Sequence, residues 1–248
     1  MRKILLTLVG LAMFAAPVAA QTADEIVTKY VQAIGGVDKI EAIKTLKRSG
    51  KFIGGGGFEA VVGQENQRPN MVREEFVLQN LTGVNAYDGQ KGWKIEPWQG
   101  KKDPEALGEE ELKSIVEDAD FDGPLVDWKK KGNKLEYLGH DDVEGTDTYK
   151  LKVTAANGTV FTYYIDSEYN VPIKIDTKRT IRGTEREYET IVGDYKKVGG
   201  VYLPFSFESN VKGNPNGSKT VYDKSEANVP INEVRFHKPA PKPQVARP

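Results

Sequence analysis

An alternation of apolar and polar residues with a period of two runs through most of this chain from Thr45 onwards. It is clearest in the stretches 149–154, 171–176 and 203–207, where Tyr, Leu, Val, Ile or Phe occupies every second position. This alternation is typical of strands that have one buried and one solvated face. The pattern predicts about ten or eleven strands, and an antiparallel sheet of that size must curl.

Turn-forming dipeptides separate the predicted strands. They are Asp88-Gly89, Asn157-Gly158, Gly199-Gly200 and Asn216-Gly217, and each predicts a tight hairpin. The glycine run Gly54 to Gly57 is interpreted as a flexible hairpin tip between two strands. It lacks the following lysine and helix that a phosphate-binding loop requires.

Two amphipathic helices are predicted before the first strand. Thr22 and Glu25 have the spacing of a capping box, and Gly35-Gly36 marks the end of the first helix. Its apolar residues recur at helical spacing and are Ile26, Val27, Tyr30, Val31 and Ile34. A second, short helix is expected to carry Val37, Ile40 and Ile43 on one face.

The strand pattern stops between Pro97 and Lys131. Asp103-Pro104 there is typical of a helix start, with proline at the first helical position. An approximately helical apolar stripe follows, made of Leu107, Leu112, Ile115, Val116 and Ala119, with acidic residues on the opposite side. The segment therefore predicts an amphipathic helix that covers an apolar face of the sheet.

The first twenty residues are typical of a secretory signal peptide. Arg2 and Lys3 precede an apolar run that is too short to span a bilayer, and Val18-Ala19-Ala20 offers small residues for cleavage. We therefore predict a signal peptide at 1–20, one domain at 21–231 and a Pro-rich C-terminal tail at 232–248 that is extended or disordered. A retained membrane anchor is the alternative interpretation of the first segment.

The 248-residue chain contains no cysteine. This excludes disulfides, thiol catalysis, thiolate metal sites and a lipid anchor on an N-terminal cysteine. Together with the signal peptide, it predicts a soluble protein of the periplasm. The formal net charge of −1 argues against a nucleic-acid partner, which requires a basic face. We expect a monomer.

The sequence offers weak metal-binding candidates. The two histidines, His140 and His237, are widely separated and are interpreted as exposed residues. Asp118, Asp120 and Asp122 imitate the start of an EF-hand loop, but Lys129 occupies the position of its bidentate glutamate. A polar turn that ends the covering helix is the favoured interpretation, and weak calcium binding remains an alternative. No metal or other cofactor is predicted.

Catalytic motifs are equally weak. No G-x-S-x-G nucleophile elbow is present. The many Asp and Glu residues are interpreted as solvated strand faces. A carboxylate-dependent hydrolase would need two such groups close together in a cleft. That alternative requires a pair of Asp or Glu side chains that face each other inside the concavity of the sheet.

The apolar residues instead favour a cavity. A curved sheet with one apolar face, covered by amphipathic helices, has space for an acyl chain, whose burial is favourable by about 0.8 kcal/mol per CH₂. Strand parity and helix face select the candidate lipid-binding wall residues, which are Val72, Phe76, Trp93, Ile95, Leu112, Ile115 and Val116.

Two stretches resemble the LolA family of periplasmic lipoprotein carriers, with its LolB and RseB-like relatives. Gln67-Arg68-Pro69-Asn70-Met71 resembles the family's strand-opening Arg-Pro-Asn segment. The stretch from Tyr87 to Trp93, closed by Pro97, resembles its Asp-Gly hairpin with an aromatic residue on the return strand. Shorter pieces at 164–166, 194–195 and 200–204 are similar to segments of LolA-like proteins.

This resemblance implies a fold and a role for one arginine. The family fold is mainly β with α: a curved antiparallel sheet forms an unclosed β-barrel, whose concave face is covered by amphipathic helices. The resemblance also implies that acyl chains bind in the cavity and that the helices act as a lid. An arginine of the Arg-Pro-Asn segment is implicated in lid closure, and the matching residue is Arg68. The alternative role for Arg68 is a surface residue that pins a strand before Pro69.

These observations predict a periplasmic lipid-binding or lipoprotein-carrier protein that is not an enzyme. Its partners would be a lipid or an acylated lipoprotein, with an envelope protein as donor or acceptor. Two alternatives stay open: a sensor or scaffold module on the same fold that binds a protein partner, and a carboxylate-dependent envelope hydrolase. The lid segment 97–131 does not match the family residue by residue, so the fold is better supported than the cargo.

Overall fold

The computed structural model describes residues 22–240 apart from Arg182 and Pro215. These residues form three α-helices, which are α1 (Ala23–Ile34), α2 (Val37–Ala42) and α3 (Glu109–Ala119). They also form fifteen strands: β1 (Thr45–Ile53), β2 (Glu59–Gln67), β3 (Met71–Leu78), β4 (Leu81–Tyr87), β5 (Gly92–Glu96), β6 (Lys101–Ala106), β7 (Lys134–Val143), β8 (Thr146–Thr154), β9 (Val160–Asp166), β10 (Pro172–Ile181), β11 (Thr184–Gly193), β12 (Lys196–Val198), β13 (Val201–Leu203), β14 (Ser206–Val211) and β15 (Ser218–Ala227). Short 3₁₀ turns lie at Pro97–Gln99 and Glu233–Arg235.

Thirteen strands form one antiparallel sheet in the order β6-β5-β4-β3-β2-β1-β15-β14-β11-β10-β9-β8-β7. Strand β1 pairs with β2 on one side and with β15 on the other, which joins the first and last strands at the middle of the sheet. Strands β6 and β7 are the edges of the described sheet, so it curves without closing into a barrel. Strands β12 and β13 form a separate hairpin. The predicted fold class is confirmed.

The predicted start of α1 is also confirmed. The backbone N–H of Thr22 donates to Glu25 Oε2 at 2.9 Å, and the backbone N–H of Glu25 donates to Thr22 Oγ1 at 3.3 Å. These bonds satisfy two amide groups that lack partners within the helix. The four predicted turn dipeptides all connect paired strands, namely β4–β5, β8–β9, β12–β13 and β14–β15.

The predicted helix start at Asp103-Pro104 is wrong. Both residues lie in strand β6, and helix α3 begins at Glu109. Proline lacks the N–H that a central strand needs, but β6 is an edge strand, where one side has no neighbour to bond. The Gly108 N–H donates to Glu111 Oε2 at 2.9 Å at the true helix start.

The three helices cover one face of the sheet, which we call the concave face, and together form the lid. Helix α1 packs Ile26 and Val27 against β8 and β9, in a cluster that includes Leu125. The end of α1, helix α2 and the β12–β13 hairpin form a second cluster around Ile34, Ile40 and Val201. Helix α3 packs on the same face in the other half of the sheet, against β3 and β4.

The segment 232–240 packs on the opposite, convex face. Phe236 is fully buried there, and its carbonyl accepts a hydrogen bond of 2.7 Å from Trp93 Nε1. Arg235 Nε donates to Glu65 Oε2 at 2.8 Å. The expectation that this part of the tail is extended or disordered is therefore corrected, because one aromatic anchor and an ion pair hold it on the sheet. The domain boundary at residue 231 stays a prediction.

The predicted signal peptide lies outside the described residues, as does the tail from 241 to 248. Within the part of the chain that the structure describes, no helix has both the length and the apolar character needed to cross a membrane.

Candidate functional site

A cavity of about 420 Å³, which we call the inner cavity, lies between the lid and the sheet. Its apolar wall comes from both layers and includes Ile34, Ile40, Leu46 and Val126. Its polar wall consists mainly of strand and α3 residues, among them Arg48, Glu74, Asp118 and Tyr222. The cavity is therefore amphipathic.

A second cavity of about 380 Å³, which we call the outer cavity, lies next to it along the concave face. The rings of Phe76 and Trp98 meet edge to face there with centroids 5.7 Å apart. Phe76 also contacts Phe52 at 5.4 Å, and Phe52 contacts Phe58 at 5.8 Å. We call these four rings the aromatic row. Trp98 and Phe58 remain 44% and 46% exposed, so the row reaches the protein surface.

The two cavities are adjacent and share part of their lining. Both are lined by Gln64, Glu74, Thr220 and Tyr222. An elongated ligand could therefore extend from the space under the lid, past this polar centre, to the aromatic row. Clefts of a few hundred Å³ with mainly apolar walls and a few polar groups are typical ligand sites.

Arg68 fastens the lid at one end. Its Nη1 and Nη2 donate to Asp122 Oδ2 and Oδ1 at 2.6 and 2.7 Å, a bidentate arrangement that suits a guanidinium. Its Nε and Nη2 also donate to the carbonyls of Ile43 and Ile40, at 2.6 and 2.8 Å. Arg68 thus joins the end of β2 to the carboxyl end of α2 and to the connection after α3.

Glu117 fastens the lid at the other side of the sheet. Its Oε2 pairs with Arg179 Nη2 at 3.1 Å. Its Oε1 accepts hydrogen bonds from Thr159 Oγ1 at 2.5 Å and Asn157 Nδ2 at 2.9 Å. Since α3 packs on β3 and β4 through Ile115, the helix is held at both walls of the concavity. Sequence reasoning did not identify Glu117.

Two carboxyl groups, of Glu74 and Asp118, line the inner cavity, and Glu74 also belongs to the polar centre. Burial raises the pKa of Glu74, whose only opposing influence is a hydrogen bond from Gln64. Burial, followed by the charges of Glu74 and Glu117, raises the pKa of Asp118 well above its ordinary value. Asp118 lines the cavity and is an exposed residue there. The interpretation of the acidic residues as solvated strand faces does not hold for Glu74, which lies on β3 and lines the cavity.

Arg48 is the third polar group that sequence reasoning missed. It is 9% exposed and lines the inner cavity. Its guanidinium stacks on the Tyr222 ring at 3.7 Å from the centroid. Nε donates to Ser225 Oγ at 3.3 Å, and Nη2 donates to the Pro204 carbonyl. Arg48 lies two residues from both Leu46 and Gly50 on β1, so strand parity alone places it on the buried face of that strand.

The structure brings most of the predicted lipid-binding residues to the concave side. Val72, Leu112 and Ile115 form one cluster with Tyr87 and Ala119 under α3. Phe76 lines the outer cavity. Val116, on the same helix, is 38% exposed and lies outside this cluster.

The structure places Trp93 away from both cavities, whereas Ile95 is among the residues that line the outer one. They form a separate cluster with Val84 and Ala86, and Trp93 bonds to Phe236 on the convex face. Parity correctly groups Trp93 with Ile95, but it does not say which face of a sheet is concave. Both faces are apolar at this point because the C-terminal segment covers the convex one.

Two of the three EF-hand-like residues are engaged with cations. Asp120 pairs with Lys131 at 2.6 Å, and Asp122 is held by Arg68. His140 contacts Asp147 at 2.9 Å, and His237 contacts Asp88 at 3.1 Å. Among the described residues, no group of three or more His, Asp or Glu side chains is arranged to hold a metal ion.

Comparison with known proteins reveals similarity of structure only. No protein-family model matches the sequence, and no curated protein is similar to it. A LolA superfamily protein from Nitrosomonas europaea aligns with a TM-score of 0.59 at 12% identity, over 88% of this chain and 99% of that one. A DUF1329 family protein from Desulfovibrio piger aligns with a TM-score of 0.58 at 10% identity, over 86% and 96%.

A domain from Vibrio parahaemolyticus, described as an outer membrane lipoprotein-sorting protein, aligns with a TM-score of 0.56 at 9% identity. The alignment covers 85% of this chain and 96% of that one. At such low identities these similarities establish the fold alone. The chain has the LolA-type fold.

Proposed function

We propose that this chain with a LolA-type fold is a carrier of the bacterial envelope, which shields the acyl chains of a lipid or lipoprotein in its concave cavity. The observation that carries the proposal is the pair of adjacent cavities, with shared lining residues, that lie between the lid and the aromatic row. A carrier needs such a space and no catalytic group, because each buried CH₂ contributes about 0.8 kcal/mol.

The lid would control access to this space. Arg68 and Glu117 hold it at opposite walls through hydrogen bonds to Asp122 and Arg179. Breaking either contact would free one side of the lid from the sheet. Cargo would then enter or leave without any covalent step, and the acceptor would be another lipid-binding protein or a membrane.

We further propose the periplasm as the compartment. Residues 1–20 are typical of a signal peptide, and one of the similar structures is described as an outer membrane lipoprotein-sorting domain. The cargo could be a free lipid or an acylated lipoprotein, and both present the same alkyl chains to the cavity.

Native mass spectrometry with lipid extraction tests this function. The protein would be expressed with its own leader in a bacterial periplasm and purified without detergent. We expect a bound phospholipid, fatty acid or acylated peptide. A protein that stays empty after incubation with lipid vesicles and with an acylated lipoprotein would contradict the carrier function and favour the sensor or scaffold alternative.

A pair of α3 variants tests the lid. Ile115 is 4% exposed and packs in the cluster with Val72 and Tyr87, so Ile115→Asp should release α3 and reduce cargo retention. Lys113→Gln is the matched control, because it changes the charge of the same helix by the same amount at an exposed position. Equal retention by both variants, with the sheet folded in both, would exclude α3 from the lid.

One observation supports a second candidate function. Glu74 and Asp118 both line the cavity and interact electrostatically, as two carboxyl groups of a carboxylate-dependent hydrolase would. A carboxyl with a raised pKa is suited to general acid catalysis. The carrier remains the better candidate because a hydrolase does not need the aromatic row. Hydrolysis of an envelope ester or glycoside that is lost in Asp118→Asn would reverse this order.

A further inference from the structure

Arg48 is a buried cation that has no carboxylate partner among the described residues. It is nine-tenths buried, and within the described residues it forms no ion pair with any carboxylate. Burial alone lowers the pKa of Arg48, which reflects the unfavourable transfer of its charge from water. Buried charges in proteins are normally paired, so this guanidinium requires an explanation.

Three other cations pair with carboxylates that line the inner cavity. Arg68 holds Asp122 at 2.6 Å, Lys131 holds Asp120 at 2.6 Å, and Arg179 holds Glu117 at 3.1 Å. The absence of a carboxylate partner for Arg48 is therefore not a general property of the cations near the inner cavity. It is specific to one position, in the middle strand β1.

The local backbone aims two side chains at this guanidinium. The register between β1 and β15 shifts at Ser49/Gly50, so that Arg48 lies opposite Ser225 while Gly50 lies opposite Tyr222. A bulge of this kind re-aims side chains. Ser225 accepts from Nε, and the Tyr222 ring lies against the guanidinium plane. Nε and Nη2 are thus engaged, and Nη1 has no hydrogen-bond partner in the part of the chain described.

We propose that Arg48 forms a subsite for the anionic headgroup, a carboxylate or a phosphate, of an amphiphile whose alkyl chain lies along the aromatic row. The inference rests on the proposed carrier function and names its ligand class. A guanidinium suits both headgroups, because its fork of N–H donors matches their oxygens.

Residues shared by the two cavities lie between this subsite and the aromatic row. Arg48 lines the inner cavity beside Tyr222, and Tyr222 and Thr220 line both cavities. Phe76 and Trp98 line the outer one. A headgroup at Arg48 would therefore lead its chain past Tyr222 into the space beside the rings.

The carboxyl groups of Glu74 and Asp118 do not repel an anionic ligand when they are protonated. The pKa values of Glu74 and Asp118 are both raised, first by burial, which favours their uncharged forms. In that form each offers an O–H donor to an anionic headgroup.

Matched ligands test the inference on the unaltered protein. Palmitate and hexadecanol have the same chain length and differ in headgroup charge. Their affinities would be measured by displacement of a neutral fluorescent dye such as Nile red. We expect palmitate to bind at least about tenfold more tightly than hexadecanol, which corresponds to about 1.4 kcal/mol. Lysophosphatidic acid should share this advantage, and acetate or inorganic phosphate alone should not displace the dye.

Two variants locate the preference. Arg48→Gln should reduce it to about onefold, whereas Lys47→Gln should retain it. Lys47 is the adjacent residue, has a half-exposed side chain and pairs with Glu65, so its removal changes the net charge equally. If Arg48→Gln does not fold, Arg48→Lys keeps the charge and should retain part of the preference.

The outcomes separate the two proposals. Equal binding of palmitate and hexadecanol by the unaltered protein would overturn the anion subsite and leave the carrier function standing. Binding of neither would overturn both. A preference that persists in folded Arg48→Gln would also overturn the assignment to Arg48, as would displacement by acetate or phosphate alone, which would indicate a site for free anions.

Discussion

Arg68 grips Asp122 through two parallel hydrogen bonds of 2.6 and 2.7 Å while it also bonds two carbonyls at the end of α2. One side chain therefore connects the sheet, the second helix and the connection that follows the third. Both partners are mostly buried, with 23% and 12% of their side chains exposed. Removal of one partner would leave the other charged group largely unsatisfied.

Arg68→Met should therefore lower the free energy of unfolding by about 3 kcal/mol, the usual effect of breaking a buried ion pair. Urea denaturation measures this change, and Arg68→Met/Asp122→Leu should recover part of it, because that double variant leaves no isolated charge. Effects that simply add in the double variant would mean that the two residues are not coupled.

Glu117→Gln should destabilise the protein by about 1–3 kcal/mol, because it removes the charge that balances Arg179 and weakens the bonds to Thr159 and Asn157. Hydrogen exchange should accelerate mainly in α3. Glu109→Gln is the control, since the Glu109 side chain is 87% exposed on the same helix. Uniform acceleration over the whole sheet would show that Glu117 acts on the fold and not on the lid.

Stability should decrease as the pH rises from acidic to neutral values through the titration of Asp118. Burial and neighbouring carboxylates raise the pKa of Asp118 in the folded protein, so the unfolded chain releases this proton at lower pH than the folded one. Between the two pKa values the free energy of unfolding falls with increasing pH. Asp118→Asn should reduce this fall.

The measurement is the urea midpoint of both proteins at about pH 4 and about pH 8. The variant should gain stability relative to the parent at the higher pH. A constant difference between the two proteins across this range would refute the raised pKa.

Phe236→Ala should lower stability by about 3–5 kcal/mol, the usual effect of truncating a buried phenylalanine. Loss of the C-terminal contact should also expose Trp93, whose indole N–H bonds to the Phe236 carbonyl, and shift its fluorescence to longer wavelength. Val234→Ala is the control because Val234 is 72% exposed, and it should change stability by less than about 0.5 kcal/mol. An unchanged emission spectrum in Phe236→Ala would mean that the segment does not shield Trp93.

Gly83→Ala should weaken binding of an apolar ligand in the outer cavity. A Cβ at this position would lie 1.9 Å from Cη2 of Trp98, so the indole ring would have to leave its place in the aromatic row. Nile red affinity measures the effect. Gly63→Ala is a suitable control, because its Cβ would meet no atom closer than 3.8 Å. Equal affinities for the two variants would exclude Trp98 from the binding wall.

Local rules predicted most of the secondary structure. Thr22 and Glu25, three residues apart, form the capping box that starts α1. Each Asp-Gly or Asn-Gly turn connects two strands that pair with each other. The failure at Pro104 has a different origin. Its environment depends on whether β6 has a neighbour on both sides, and strand order in a sheet is a property of the whole chain.

The binding site was harder to predict for a related reason. Parity identified Val72 and Phe76 correctly as one face of β3, but Glu74 lies between them on the same face and was interpreted as solvated. Whether a polar strand position faces bulk solvent or the inside of the concavity depends on how the whole sheet curves. Trp93 was assigned to the wrong face because the segment that covers it, around Phe236, is remote in sequence.

The pairing of β1 with β15 also has a kinetic consequence. These strands come from opposite ends of the described chain, so the middle of the sheet closes only after a very long loop has been brought together. Contacts of such high sequence separation are slow to form. The two arms of the sheet, built from local hairpins, can form first, and the join between them completes the concavity last.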